Sequence, residues 1–228
     1  MKNPTLYKKF KDMSQHSLNV HCCSACGKGD FEVIQYLLFS PELEKHAQLD
    51  YVKNKGLSFA SRNGHINIIR YFLLEQKIVD IDIHARQDEM LYSAVEGGQL
   101  GVIQYLLKSP ELKEHANLKN NEYIVKAAFL SGHLNIVKYF LNDLKNEIDF
   151  DTNNLFMIAY SKGHNDILEY LIFEAKIEMS VSIKTHLDYR SDTFSKRIEA
   201  MFAKRDEYTA LNQELIKNKE PNKKSFKL

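Results

Sequence analysis

The 228-residue sequence contains no tryptophan, only four prolines and only three cysteines. Cys22, Cys23 and Cys26 fall within five residues of one another. A disulfide framework needs pairs spread along the chain, so none spans this fold, and a reducing compartment is expected. No segment approaches the roughly 18 consecutive apolar residues of a membrane-spanning helix. The N-terminus MKNPTLYKKFKDMSQHS also lacks the apolar core of a signal peptide. A charge excess is missing too: 31 Lys and Arg stand against 30 Asp and Glu, a net charge of +1. A general nucleic-acid binder needs clustered basic residues to displace phosphate counterions. The expectation is therefore a soluble, cytosolic chain that neither binds nucleic acid nor inserts stably into a membrane. No GxSxG, GxxxxGK[ST], HExxH or EF-hand loop occurs, so catalysis has no support and no cofactor is implied.

What the sequence does have is repetition. An Ala is followed four residues later by Gly at Ala25/Gly29, Ala60/Gly64, Ala94/Gly98, Ala128/Gly132 and Ala159/Gly163, with successive Gly spacings of 35, 34, 34 and 31. Seven residues after each Gly stands a Tyr: Tyr36, Tyr71, Tyr105, Tyr139 and Tyr170. Before each Gly the apolar residues fall at helical spacing, as in Leu91, Ala94 and Val95. After it they do so again, as in Ile66, Ile69 and Phe72. Each copy thus reads as two short helices joined by a tight turn, with Gly supplying the C-cap conformation. Such a hairpin cannot bury its apolar face alone, so the copies must stack.

The stretches GHINIIRYFLL, GHLNIVKYFL and GHNDILEYLI, with the Ala before each Gly, resemble ankyrin repeats, units of about 33 residues built from a helix-turn-helix and a β-turn finger. The resemblance covers roughly residues 20–175. It implies an all-α ankyrin-repeat solenoid of about five helix-turn-helix repeats with N- and C-terminal helical caps. The boundaries read from sequence are 1–19 for an N-terminal capping helix started by Asn3 and Pro4, and 20–185 for the repeats. An amphipathic helix carrying Phe194, Ile198, Met201, Tyr208, Leu211 and Leu215 occupies 186–216, capped by Ser191 or Asp192. It either seals the last repeat or offers its stripe to a partner. A disordered Lys-rich tail fills 217–228.

A second period lies above the first. VIQYLLFSPELEKHAQL at 33–49 recurs as VIQYLLKSPELKEHANL at 102–118, with 13 of 17 positions identical. Ser40 and Ser109 as caps, followed by Pro and Glu, predict an extra helical turn there.

The remaining chemistry-bearing residues have structural explanations. Cys22 and Cys26 fall on core positions of a first helix, and no second ligand pair accompanies the CxxC, so no metal site is expected. His65, His133 and His164 recur with the repeat, as His46 and His115 do with SPEL, which marks them as turn residues. Asp80, Asp82 and His84 alternate as strand ligands would, but they occupy the polar finger position of the family.

The resemblance implies binding of another protein by a monomeric stack through its concave face. On that analogy the partner-binding positions are Tyr51, Val52, Asn54, Arg62 and Asn63 in the second copy, and Arg86, Asp88 and Glu96 in the third. The fourth copy adds Lys119, Asn120, Glu122 and Ser131, and the fifth Phe150, Asp151, Asn153, Ser161 and Lys162. The SPEL-x-x-HA segment is also similar to segments in ankyrin effectors that intracellular bacteria deliver into the host cytoplasm. A housekeeping scaffold, or an enzyme using the C-terminal segment, are the rival readings.

Overall fold

A computed structural model describes residues 3–74, 81–119, 121–144, 151–190 and 192–219; the tail from 220 on, part of the segment read as disordered, lies outside the described residues. Every regular element among them is helical, with no strand. The chain divides into two compact units, Met1–Asp149 and Phe150–Leu228.

The first unit opens with α1 (Pro4–Phe10), where the Asn3 side chain accepts from the Leu6 N–H at 3.0 Å and Pro4 takes the first turn. The Asn3 amide donates to Glu32 at 2.8 Å, and Phe10 meets the His21 ring edge-on at 5.7 Å, so α1 is fastened to the first hairpin. That hairpin pairs α2 (Gln15–Lys28) with α3 (Phe31–Phe39). In the second, α4 (Leu49–Tyr51) runs through a π-helical turn at Val52–Gly56 into α5 (Leu57–Arg62), which pairs with α6 (Ile66–Leu74). The third pairs α7 (Ala85–Glu96) with α8 (Leu100–Lys108), and the fourth α9 (Glu122–Ser131) with α10 (Leu134–Asp143).

The four-residue step from Ala to Gly has a hydrogen-bond explanation. All five repeat glycines are left-handed, with φ between 72° and 79°. The residue after each Gly returns its N–H to the carbonyl of the repeat Ala, as in Asp30 to Ala25 at 3.0 Å, His65 to Ala60 at 2.9 Å and Gln99 to Ala94 at 2.9 Å. This is the Schellman closure, in which the C″ amide reaches back five residues and the C′ position requires positive φ. The same alanines are 0–4% exposed, because a larger side chain would hold neighbouring first helices apart. Around them Leu37, Leu57, Ile68, Phe72, Leu91, Ile103, Ile124 and Phe140 are at most 1% exposed, each contributing about 1.5–3 kcal/mol by burial.

Neighbouring hairpins are also stitched through the residue after the Gly. His65 Nε2 donates to the Gly27 carbonyl at 3.0 Å, and His133 Nε2 to the Glu96 carbonyl at 3.0 Å. These histidines tie one repeat to the one before it.

The SPEL segments differ from the expected helical turn. Ser40 and Ser109 are extended (ψ 124° and 126°), and each segment folds back as a non-helical turn. The Ala47 N–H donates to Leu37 O at 2.8 Å and His46 Nε2 to Ser40 O at 2.7 Å; in the third repeat the same bonds join Ala116 to Leu106 at 3.0 Å and His115 to Ser109 at 2.8 Å. The carbonyls that a continuing helix would have used are satisfied by this fold-back.

The second unit contains α11 (Thr152–Lys162) and α12 (Asn165–Glu169), the latter running into a π-helical turn at Tyr170–Glu174, then α13 (Val181–Arg190) and α14 (Thr193–Lys219). Asp192 caps α14, accepting from the Ser195 N–H at 2.8 Å. The buried Tyr160 stacks on Phe194 at 5.1 Å and hydrogen-bonds Ser195 at 2.7 Å, while Phe156 meets Phe202 at 5.8 Å. The first half of α14 therefore seals the fifth hairpin, whereas every residue from Asp206 to Ile216 is exposed. The segment read as one helix over 186–216 is two, with the expected boundary at 185 falling inside α13; only Ile183 and Leu187 are buried on α13, too few to mark a period.

Candidate protein-binding surface

The exposed side of the first helices in the first unit carries a strip of aromatic, aliphatic and charged residues. Counting back from the repeat Gly, positions 2, 5, 6 and 9 share one helical face. Arg62 and Glu96 both stand two residues before their Gly, and their side chains form an ion pair between adjacent repeats. The Tyr92 hydroxyl donates to the other Glu96 oxygen at 3.1 Å, and the Tyr92 ring lies 5.6 Å from that of Tyr123 on the next repeat. Burial and the Glu96 hydrogen bond hold the Tyr92 phenol above its ordinary pKa; burial and the Asp88 charge do the same at Tyr123. Phe59 stands one turn before Arg62 and is 47% exposed, Tyr123 is 37% exposed and Leu130 45%.

Among the residues expected from sequence, the structure thus joins Arg62 and Glu96. Tyr51 is half-buried under the Lys55 ammonium, and exposed Asn63 donates its amide to the Phe59 carbonyl at 2.9 Å. Lys119 is exposed, exposed Glu122 pairs with Lys126 at 3.0 Å, and Ser131 is half-buried. Two positions are not surface at all. Val52 is fully buried in the π-helical turn, and Asp88 is 4% exposed, accepting from Asn121 at 2.8 Å and pairing with His84 at 2.8 Å. Asp88 also has left-handed backbone (φ 60°) in the first turns of α7. In the second unit, exposed Asp151 caps α11 by accepting from the Asn153 N–H at 2.9 Å. Asn153 is half-buried, and Ser161 and Lys162 are exposed. Asn120, Phe150 and the side chains of Asn54 and Arg86 lie outside the described residues.

Phe59, Tyr92, Tyr123 and Leu130 are apolar or aromatic residues at helical spacing, which in sequence are indistinguishable from core positions. The signal that marks two of them is helical spacing from charged surface positions: Phe59 lies three residues before Arg62, and Tyr92 four before Glu96.

The other candidates have packing partners. Cys22, Cys23 and Cys26 are free and buried; burial pushes the Cys23 thiol up to about 12, and a hydrogen bond with Cys22, then burial, raises Cys26. A Cβ on Gly56 would sit 2.9 Å from Cys26 Sγ, so this thiol fills the contact between the first two repeats. Asp82 and His84 lie in a turn, where Asp82 accepts the His84 N–H at 2.8 Å; Asp80 lies outside the described residues. Among the described residues no group of three or more His, Cys, Asp or Glu is arranged to hold a metal ion, and no helix is long and apolar enough to cross a membrane.

Residues 21–120 match the family described as ankyrin repeats, in three copies. The hairpins within residues 21–120 are those that match ankyrin repeats. An ankyrin repeat protein of Acanthamoeba polyphaga mimivirus, R837, is similar at 29% identity over 177 residues, covering 75% of this chain and 25% of the relative. The ankyrin repeat and KH domain-containing protein mask-1 of Caenorhabditis elegans is similar at 27% identity over 124 residues, 53% of this chain and 4% of the relative. The chain thus spans a quarter or less of the length of these relatives. No solved structure matches the chain. Ankyrin repeats point to a protein–protein interaction module.

Proposed function

We propose that the strip built by Phe59, Arg62, Tyr92, Glu96, Tyr123 and Leu130 is the surface by which this chain binds a partner protein. The observation that carries the reading is the chain of contacts from Arg62 through Glu96 and Tyr92 to Tyr123, which crosses three repeats. Exposed aromatic and aliphatic groups flank an Arg–Glu pair that joins two repeats, and Tyr, Phe and Arg are enriched in interface cores. The scaffold holds the strip rigid, so binding needs little ordering. The role is non-catalytic. The setting we propose is that of a bacterial effector acting on a host protein, supported by the SPEL-x-x-HA resemblance and the polar Lys-rich segment 217–228.

The test compares capture of a protein from host lysate by the wild-type chain and by Phe59→Ala/Tyr123→Ala. Both side chains are substantially exposed, so the melting temperature should hold while binding weakens by about 2 kcal/mol or more. Capture that survives this change and disappears when 206–228 is removed, a segment whose described side chains are all exposed, rejects the strip. A translocation assay with and without 217–228 separates an effector from a housekeeping scaffold.

A further inference from the structure

The distal half of α14 is the largest feature that the binding strip does not use. Tyr208 is 64% exposed, Leu211 52%, Leu215 49% and Ile216 63%, although the same helix buries Ile198 and Phe202. At 100° per residue Tyr208, Leu211 and Leu215 fall within about 60° of arc, and Ile216 widens the apolar face on one side. Lys204 and Lys219 occupy the register positions that bracket this face along the helix.

The sequence adds a second observation. Residues 217–228 carry Lys217, Lys219, Lys223, Lys224 and Lys227 against Glu220, a net +4, so the whole-chain value of +1 leaves −3 on residues 1–216. The nearly neutral total hides an acidic body and a basic end.

We propose that α14 from Tyr208 onward, with the lysines of 217–228, seats the protein on an anionic lipid bilayer. An apolar helix face beside a cluster of four to eight Lys or Arg combines the two attractions that peripheral binding needs, burial at the acyl boundary and attraction to acidic headgroups. A nucleic acid would use the lysines and leave Leu211 and Leu215 in water. Parallel pairing with a second copy would stack Tyr208, Leu211 and Leu215 on themselves over barely two heptads, too short a seam for a stable coiled coil, and would bring two basic ends together. The charge asymmetry also orients the molecule, since an anionic surface attracts the basic end and repels the acidic body. The seat is separate from the strip on the first unit's repeats, so either reading can fail alone.

The 228-residue chain is sedimented with phosphatidylcholine vesicles and with vesicles containing about 30% phosphatidylserine. Binding is expected to the anionic vesicles only, and to be lost near 0.5 M NaCl. Leu211→Ser/Leu215→Ser should weaken it at least about tenfold with an unchanged circular dichroism melt, because both side chains are exposed. Each Lys→Gln change among 217, 219 and 223 should cost about fivefold. No binding to anionic vesicles at low salt overturns the proposal, as does binding that ignores the leucine changes. Retention on duplex RNA that matches the vesicle binding and is equally indifferent to them assigns the lysines to nucleic acid instead. A tight dimer in sedimentation equilibrium, abolished by the leucine changes, assigns the face to a second copy.

Discussion

A methyl group has no place at Gly97. Its carbon would stand 2.7 Å from the Arg62 carbonyl carbon and closer still to the oxygen, and this neighbour is backbone that cannot rotate away. Gly163 poses the opposite problem, since nothing lies within 4 Å of an added Cβ but φ is +72°. Gly101, inside α8, has neither constraint. Alanine at these positions separates space from backbone strain. Gly97→Ala should destabilise by about 1–3 kcal/mol through overpacking, and Gly163→Ala by about 1 kcal/mol through strain. Gly101→Ala should stabilise by about 0.4–1 kcal/mol, because it removes freedom from the unfolded chain without cost to the fold. Denaturant titration of the three variants checks the order; equal effects would mean that the first helices can move apart at the Arg62 carbonyl.

At the scale of elements, the start of α14 depends on one carboxylate. The Ser195 N–H and then its hydroxyl hold Asp192 below the ordinary aspartate pKa. A depressed folded-state value means that the cap's stabilisation is complete above the unfolded pKa of about 4 and is lost as pH falls through the folded value. Asp192→Ala should therefore lower stability at pH 7 and make progressively less difference below about pH 4; denaturation curves at both pH values measure it. That cap was legible in the sequence because it is local: a polar residue precedes an apolar period. The five Ala–Gly steps were legible for the same reason, since the Schellman closure spans only six residues. SPEL was misread because Ser-Pro-Glu opens a helix and a turn equally well, and the bonds that decide, Ala47 to Leu37 and His46 to Ser40, run backward from residues beyond the motif. The inward turn of Asp88 was hidden likewise, because Asn121, one of its two partners, is supplied by the next repeat.

At the scale of the whole molecule, the fold-back turn occurs in the first and third repeats, at the ends of two nearly identical stretches 69 residues apart. The residues set against the first three repeat glycines follow the same alternation: His65 against Gly29, Gln99 against Gly64 and His133 against Gly98. A single repeat is therefore not interchangeable with its neighbour, but a pair is. Excision of residues 34–102 would fuse Val33 to Ile103 within VIQYLL and set His133 against Gly29, where His65 stood. The shortened chain should fold with a cooperative melt, whereas removal of one repeat alone, which sets Gln99 against Gly29, should lower the melting temperature further. In genetic terms the chain can lengthen or contract by unequal crossover at its own duplicated segments, two hairpins at a time, without inventing a new junction.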